Sequence, residues 1–147
     1  MLMKYLLKIF SLAILVSLFS CKDDDANSSA EKLKTEMLTA ESWGHPQVTH
    51  TDGDLSDQYT NFAIVFTSNG SAGFNGTYFV SNGGNAFTET TGLWMFNDDL
   101  TKIIFDSGKE IDFTLEDDFL QFDFVVNDPS GKVAGLSGHF IFELQPL

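Results

Sequence analysis

Leu120-Gln121-Phe122-Asp123-Phe124-Val125-Val126 sets Leu120, Phe122, Phe124 and Val126 on one side of an extended chain and Gln121 and Asp123 on the other. Successive side chains of a strand point to opposite faces, so this is the signature of a strand with one buried face. The same pattern recurs toward the C-terminus, where Leu136, Gly138, Phe140, Phe142 and Leu144 oppose Ser137, His139 and Glu143. Toward the N-terminus, Phe62, Ile64 and Phe66 alternate with Ala63, Val65 and Thr67; Gly92, Trp94 and Phe96 follow, and Ile111, Phe113 and Leu115 alternate with Asp112 and Thr114. Turn signals separate these runs: Ser68-Asn69-Gly70, Asn82-Gly83-Gly84-Asn85, Asn97-Asp98-Asp99, Asp106-Ser107-Gly108, Glu116-Asp117-Asp118 and Asn127-Asp128-Pro129-Ser130-Gly131.

These signals predict strands at 42–50, 61–67, 71–80, 91–97, 101–105, 109–115, 119–126 and 134–144. Hairpin-length loops join antiparallel neighbours, so the expected fold is all-β, an eight-stranded antiparallel up-and-down meander. Closing the meander into a barrel removes its exposed edges and gives every apolar face an interior. A two-sheet β-sandwich produces similar alternation and stays as the alternative. Ahead of the strands, Ala30 to Ala40 has helical grammar: Ser29 can cap it, Glu36 follows Lys32 by four residues, and Leu33, Met37 and Leu38 share a face. A short helix packed on the barrel end is expected.

Met1 to Ser20 has the composition of an export signal, with Lys4 and Lys8 followed by the apolar run Ile9 to Ser20. Cys21 is the only cysteine, so it cannot form an internal disulfide. Leu18-Phe19-Ser20-Cys21 resembles the lipobox of bacterial lipoproteins, which implies acylation of Cys21; the bland alternative is an ordinary signal that ends in Cys. Lys22 to Ser29 is charged and small and has little to bury, so it reads as a tether. The expected organisation is a signal over 1–20, the acylated Cys and tether over 21–29, and a barrel domain with its helix over 30–147. A Lys followed by acidic residues also resembles the surface-export signal of Bacteroidota lipoproteins, with a plain polar spacer as the alternative. Both resemblances imply an anchor in the outer membrane through Cys21, on its surface or periplasmic face.

The whole chain has a net charge of −13 and no arginine. Removing 1–20 takes two lysines and no acid, leaving −15 over about 127 residues, enough for one domain. Such a chain lacks the clustered cations that nucleic acid requires, so no nucleic-acid partner is expected. Strong like charge also favours a monomer.

Glu41-Ser42-Trp43, the Asn69-Gly70 hairpin and Gly92-Leu93-Trp94 after a Gly/Asn-rich loop resemble the lipocalin-like lipoproteins of Bacteroidota. The resemblance implies a small lipocalin-like barrel in which Trp43 closes one end. It departs from true lipocalins in having Glu41 where their first-strand motif has glycine, and no arginine to pack over Trp43.

Phe62, Phe66, Tyr78, Trp94, Phe96, Phe113, Phe122, Phe124 and Phe140 are expected to face inward, with Phe74, Phe105 and Phe142 among them. An eight-stranded barrel of this kind either fills with side chains or holds one small ligand. An aromatic lining suits an apolar or amphipathic ligand; large apolar residues in a small domain equally make a solid core. In the second case the loops would contact a glycan or an envelope protein, and Phe79 and Phe87, near the tip Asn82 to Asn85, are the expected exposed patch. Asp52, Asp54 and Asp57 lie close in sequence but lack the glycine and closing glutamate of an EF-hand, so no metal or other cofactor is expected. Acid pairs Asp98-Asp99 and Asp117-Asp118 fit turn chemistry. His45 and His50 fall on opposite phases of the first strand, and Ser137 and His139 have no orienting third group in sequence. No catalytic motif stands out, and the chain is expected not to be an enzyme.

Overall fold

Among the described residues, nine strands, β1 (Ser42–His50), β2 (Gly53–Asp54), β3 (Ala63–Thr67), β4 (Gly76–Ser81), β5 (Thr91–Phe96), β6 (Lys102–Phe105), β7 (Glu110–Glu116), β8 (Phe119–Val126) and β9 (Gly138–Pro146), the longer ones built by period-two alternation, follow the α-helix α1 (Asp24–Ala40). They are seen in a computed structural model that describes residues 24–70, 73–127 and 137–147, with side chains from residue 27. The chain divides into two compact units, 1–30 and 31–147, and the strands all belong to the second. Every strand pairs antiparallel with its neighbour in the order β2-β1-β3-β4-β5-β6-β7-β8-β9, and β1 also pairs with β9. That last ladder closes an eight-stranded barrel, with β2 as a short hairpin extension of β1; a two-sheet sandwich has no such ladder.

Strand β1 meets β9 from Trp43↔Pro146 to His50↔Phe140, with a shift between Gly44 and Gln47 where β1 carries one extra residue. This β-bulge holds Pro46, a residue that strands tolerate at bulges because it donates no ladder hydrogen bond. The extra residue reverses the phase of the strand. Trp43 at an odd position and Val48 and His50 at even positions are therefore all buried, while His45 is exposed with φ of 50°.

Helix α1 begins at Asp24, so Ser29 lies inside it instead of capping it; no glycine or proline interrupts residues 24–40. Its buried turn is also displaced from the expected one. Leu38 is fully buried but Leu33 is exposed, and Glu31 and Lys34 share Leu38's side of the helix. Polar reach, more than apolar periodicity, fixes this end: Lys34 Nζ donates to Leu100 O at 2.6 Å, Asn75 Nδ2 to Glu31 Oε1 at 2.6 Å, and the Trp43 indole N–H to Leu38 O at 3.0 Å.

The strand expected over 71–80 is much shorter than its alternation suggested. β4 begins at Gly76, because the preceding turn folds back with Gly73 at φ 89° and Gly70 N–H donating to Asn75 O. Residues 1–23, 71–72 and 128–136, among them the expected turn beyond Asn127 and the expected strand start at 134–136, lie outside the described residues. Gly76 has a spatial reason: a Cβ there would sit 1.5 Å from Thr67 O and 2.7 Å from the Trp94 indole nitrogen. The bare backbone lets Trp94 Nε1–H cross to Thr67 O at 3.1 Å.

Phe122, on β8, is fully buried and touches Phe66 of β3, which is not its sheet neighbour. Phe122→Ala should therefore cost about 3–5 kcal/mol. Val125→Ala, at a position 59% exposed on the same strand, should stay within about 0.5 kcal/mol. Urea denaturation of both variants checks the difference.

Candidate functional site

The nine aromatic residues read from the sequence as ligand-facing converge inside the barrel. Phe62, Phe66, Tyr78, Trp94, Phe96, Phe122, Phe124 and Phe140 are buried, and Phe113 is partly buried against them. They meet one another directly. Phe62 and Phe142 lie 5.1 Å apart, Trp94 and Phe96 5.0 Å, Phe96 and Phe113 5.4 Å, and Phe124 and Phe140 5.8 Å between ring centroids. Tyr78 stacks on Phe105 at 3.9 Å. These separations are those of rings in mutual contact.

Phe87 is not the exposed loop aromatic that its Gly/Asn-rich surroundings predicted. It is 3% exposed and packs on Phe62, Phe122, Phe124 and Phe142. The 82–90 connection folds inward, with Phe87 N–H donating to Gly83 O at 3.0 Å and Asn82 Nδ2 to Asn61 O at 2.7 Å. Burying a phenyl ring outweighs keeping a polar loop extended, since that burial is worth about 1.5–3 kcal/mol. Phe79, in contrast, is 56% exposed.

Lys109 covers this inserted ring. Its ammonium donates to Ala86 O and lies 4.2 Å and 4.1 Å above the Phe87 and Phe124 ring centres. Burial pushes its pKa down to about 8, with Glu89 opposing the shift. Nothing in the sequence around Lys109 marks it beyond its place at the start of an alternating strand. Among the described residues, the buried side-chain atoms Thr35 Oγ1, Tyr78 Oη and His50 Nε2 have no hydrogen-bond partner. His50 rests on Phe140 at 4.4 Å and accepts the Asp52 N–H on Nδ1 at 3.1 Å. Burial, then Asp106 and Glu89, push the Tyr78 hydroxyl up to about 12.

The acidic loop divides its carboxylates. Asp52 lies 3.6 Å from His50, whereas Asp54 Oδ1 accepts both the Ser56 hydroxyl at 2.6 Å and its N–H at 2.8 Å, which holds the Asp54 carboxyl below its usual range. No group of three or more His, Cys, Asp and Glu side chains able to hold a metal occurs among the described residues. His139 does have an orienting carboxylate that the sequence order hid: its Nε2 lies 2.5 Å from Asp123 Oδ1 across the β8–β9 ladder, on the outer wall. Alternation had already placed both outward, and only the register was missing.

The outer wall carries an open groove of about 380 Å³ beside the β1 bulge. It is lined by His45, Pro46 and Gln47 of β1, Glu143 and Gln145 of β9, Asp54 and Ser56 after β1, and Phe119 of β8. Pro46 inside an otherwise regular strand was the one sequence signal for it, because proline in a strand marks a bulge or an edge. Cys21 lies outside the described residues, and Trp43 sits 1% exposed at the helix end of the barrel. No family model matches the sequence, and no curated protein matches it.

Lys109 yields a pH test. Its folded pKa of about 8 lies below the ordinary 10.5, so between those values the unfolded chain binds the proton more tightly. Stability should therefore rise as pH climbs through that window, by about 2 kcal/mol once the attraction of the two rings for the ammonium offsets part of the burial penalty. Lys109→Met should abolish the rise, as read from urea midpoints taken at intervals across the window.

Proposed function

We propose that this chain is a lipid-anchored protein of the cell envelope, attached to the outer membrane through Cys21, whose lipocalin-like barrel is a filled scaffold that meets its partner with its outer surface. The observation that carries the outward reading is the ring packing across the interior, where Phe66 reaches Phe122 and Phe87 reaches Phe122, Phe124 and Phe142. The anchor reading is supported by the basic and apolar Met1 to Ser20, the lipobox-like Leu18 to Cys21, and the single cysteine. Attachment through several acyl chains would be persistent where one chain holds a membrane only weakly. The role is binding, not catalysis, and the protein works as a monomer, its like charges keeping copies apart.

A second reading, a small apolar or amphipathic ligand inside the barrel, is favoured by Tyr78 Oη and His50 Nε2, which are buried without partners. An unpaired buried donor costs about 1–3 kcal/mol, which a ligand could recover. Such a ligand would have to displace Phe87. Native mass spectrometry of the gently extracted protein separates the two: the filled scaffold comes out without ligand, and a stoichiometric small molecule would establish the internal site instead. Phe87→Ala should then open the interior and give new binding of an apolar fluorescent probe that the parent protein does not take up.

Cys21→Ser should stop incorporation of radiolabelled palmitate in growing cells and leave an unprocessed precursor. Normal labelling of that variant would refute the anchor. Protease treatment of intact cells reports which face of the membrane carries the barrel.

A further inference from the structure

The groove beside the β1 bulge has a composition that narrows its ligand. It presents two carboxylates, Asp54 and Glu143, two amides, Gln47 and Gln145, the imidazole of His45 and the ring of Phe119. No lysine lines it, and its two carboxylates disfavour an anionic ligand. Wholly apolar ligands would strand these polar groups without partners. A metal would need more converging ligands than the described residues supply. What remains is a compact ligand rich in hydroxyls with one apolar face.

We propose that this groove binds a saccharide that is uncharged or carries an amine, with Gln47, Gln145, Asp54 and Glu143 taking its hydroxyl groups and Phe119 its apolar ring face. Amides both donate and accept, and carboxylates accept from two directions, which matches vicinal hydroxyls that do the same. A volume of about 380 Å³ falls within the range of small-molecule sites, roughly 300–1,000 Å³. Asp54 is already oriented: Ser56 holds its Oδ1 through the hydroxyl and the N–H. Ser56 Oγ in turn accepts the Val48 N–H at 2.9 Å, so this part of the groove lining is tied to β1.

A second observation independent of composition points to the same place. His45 has φ of 50°, a left-handed conformation that costs a residue with a side chain and that glycine would adopt freely. Strain of this kind persists where a side chain is needed at that point, and bulges recur beside binding sites because they re-aim side chains. Here the bulge directs His45 to the groove instead of the core.

The proposal deepens the filled-scaffold reading and rests on it. It is tested with the full chain in a detergent that lacks a sugar headgroup, on an array of neutral, amine-bearing and uronic-acid oligosaccharides, followed by saturation-transfer NMR of the hits. Neutral or amine-bearing glycans should bind and uronic acids should not. Gln47→Ala/Gln145→Ala should weaken binding at least tenfold, Glu143→Gln severalfold, and His45→Gly should weaken binding while keeping or raising Tm. Absence of any neutral or amine-bearing hit, equal binding of uronic acids, or unchanged affinity in these variants would overturn the saccharide site and leave the filled scaffold standing. Ligand-induced shifts of Tyr78 and Phe122, inside the barrel, would overturn the scaffold reading itself.

Discussion

Closure of the barrel depends on the pairing of β1 with β9, and that pairing works only because β1 carries one residue more than β9 between Gly44 and Gln47. Without the insertion, strict alternation would turn Val48 and His50 outward whenever Trp43 faced inward. With it, β1 contributes to the core at both ends: Trp43 reaches the Leu38 carbonyl under α1, and His50 lies against Phe140 near the other rim. The same insertion forces His45 out of the wall, beside the groove lined by Glu143 and Gln145. Core continuity inside and a concavity outside therefore meet at this one insertion.

The distribution of charge follows from what can sit on an aromatic ring. The chain has eight lysines, no arginine and 21 acidic residues. Lys34 lies 4.9 Å above Phe113 and donates to Leu100 O, while Lys109 covers Phe87 and Phe124 and donates to Ala86 O. An ammonium is attracted to the negative face of a ring and its alkyl stem covers apolar surface. A carboxylate would be repelled there. Two of the scarce cations thus cap the aromatic core, a third, Lys102, bridges Glu110 and Asp112 on the outer wall, and the excess acid is left for solvent.

The fold was legible because alternation is local. Each run of inward phenylalanines declares its own face, and the short turns between them favour a meander, with the β1–β9 ladder deciding for the barrel over the sandwich. What alternation cannot carry is a change of phase or a pairing across the barrel. The bulge was signalled only by Pro46, the Asp123–His139 contact needed the β8–β9 register, and Leu33 looked like a packing residue until polar contacts from Glu31 and Lys34 set the helix rotation. Phe87 misled for a different reason. A polar loop with one aromatic reads as surface, yet the loop's own hydrogen bonds, Asn82 to Asn61 O and Phe87 N–H to Gly83 O, turn the ring inward. The aromatic interior was visible from the start, but the place of Phe87 in it was not.

The proposed filling has an energetic logic that also favours recognition at the outer wall. A domain of this size has a net stability of about 5–15 kcal/mol, and removing one buried phenyl ring costs about 3–5 kcal/mol. Hollowing the interior by two or three rings would use up that margin before any ligand arrived. The exception is Phe87, which sits on a connection instead of a strand and could withdraw without breaking a ladder. An internal site would thus need that loop to move and Lys109 to leave its two rings. The outer wall has no such constraint: exposed side chains such as Gln47 and Gln145 can change with little effect on the core, so specificity can be set there while closure and packing stay fixed.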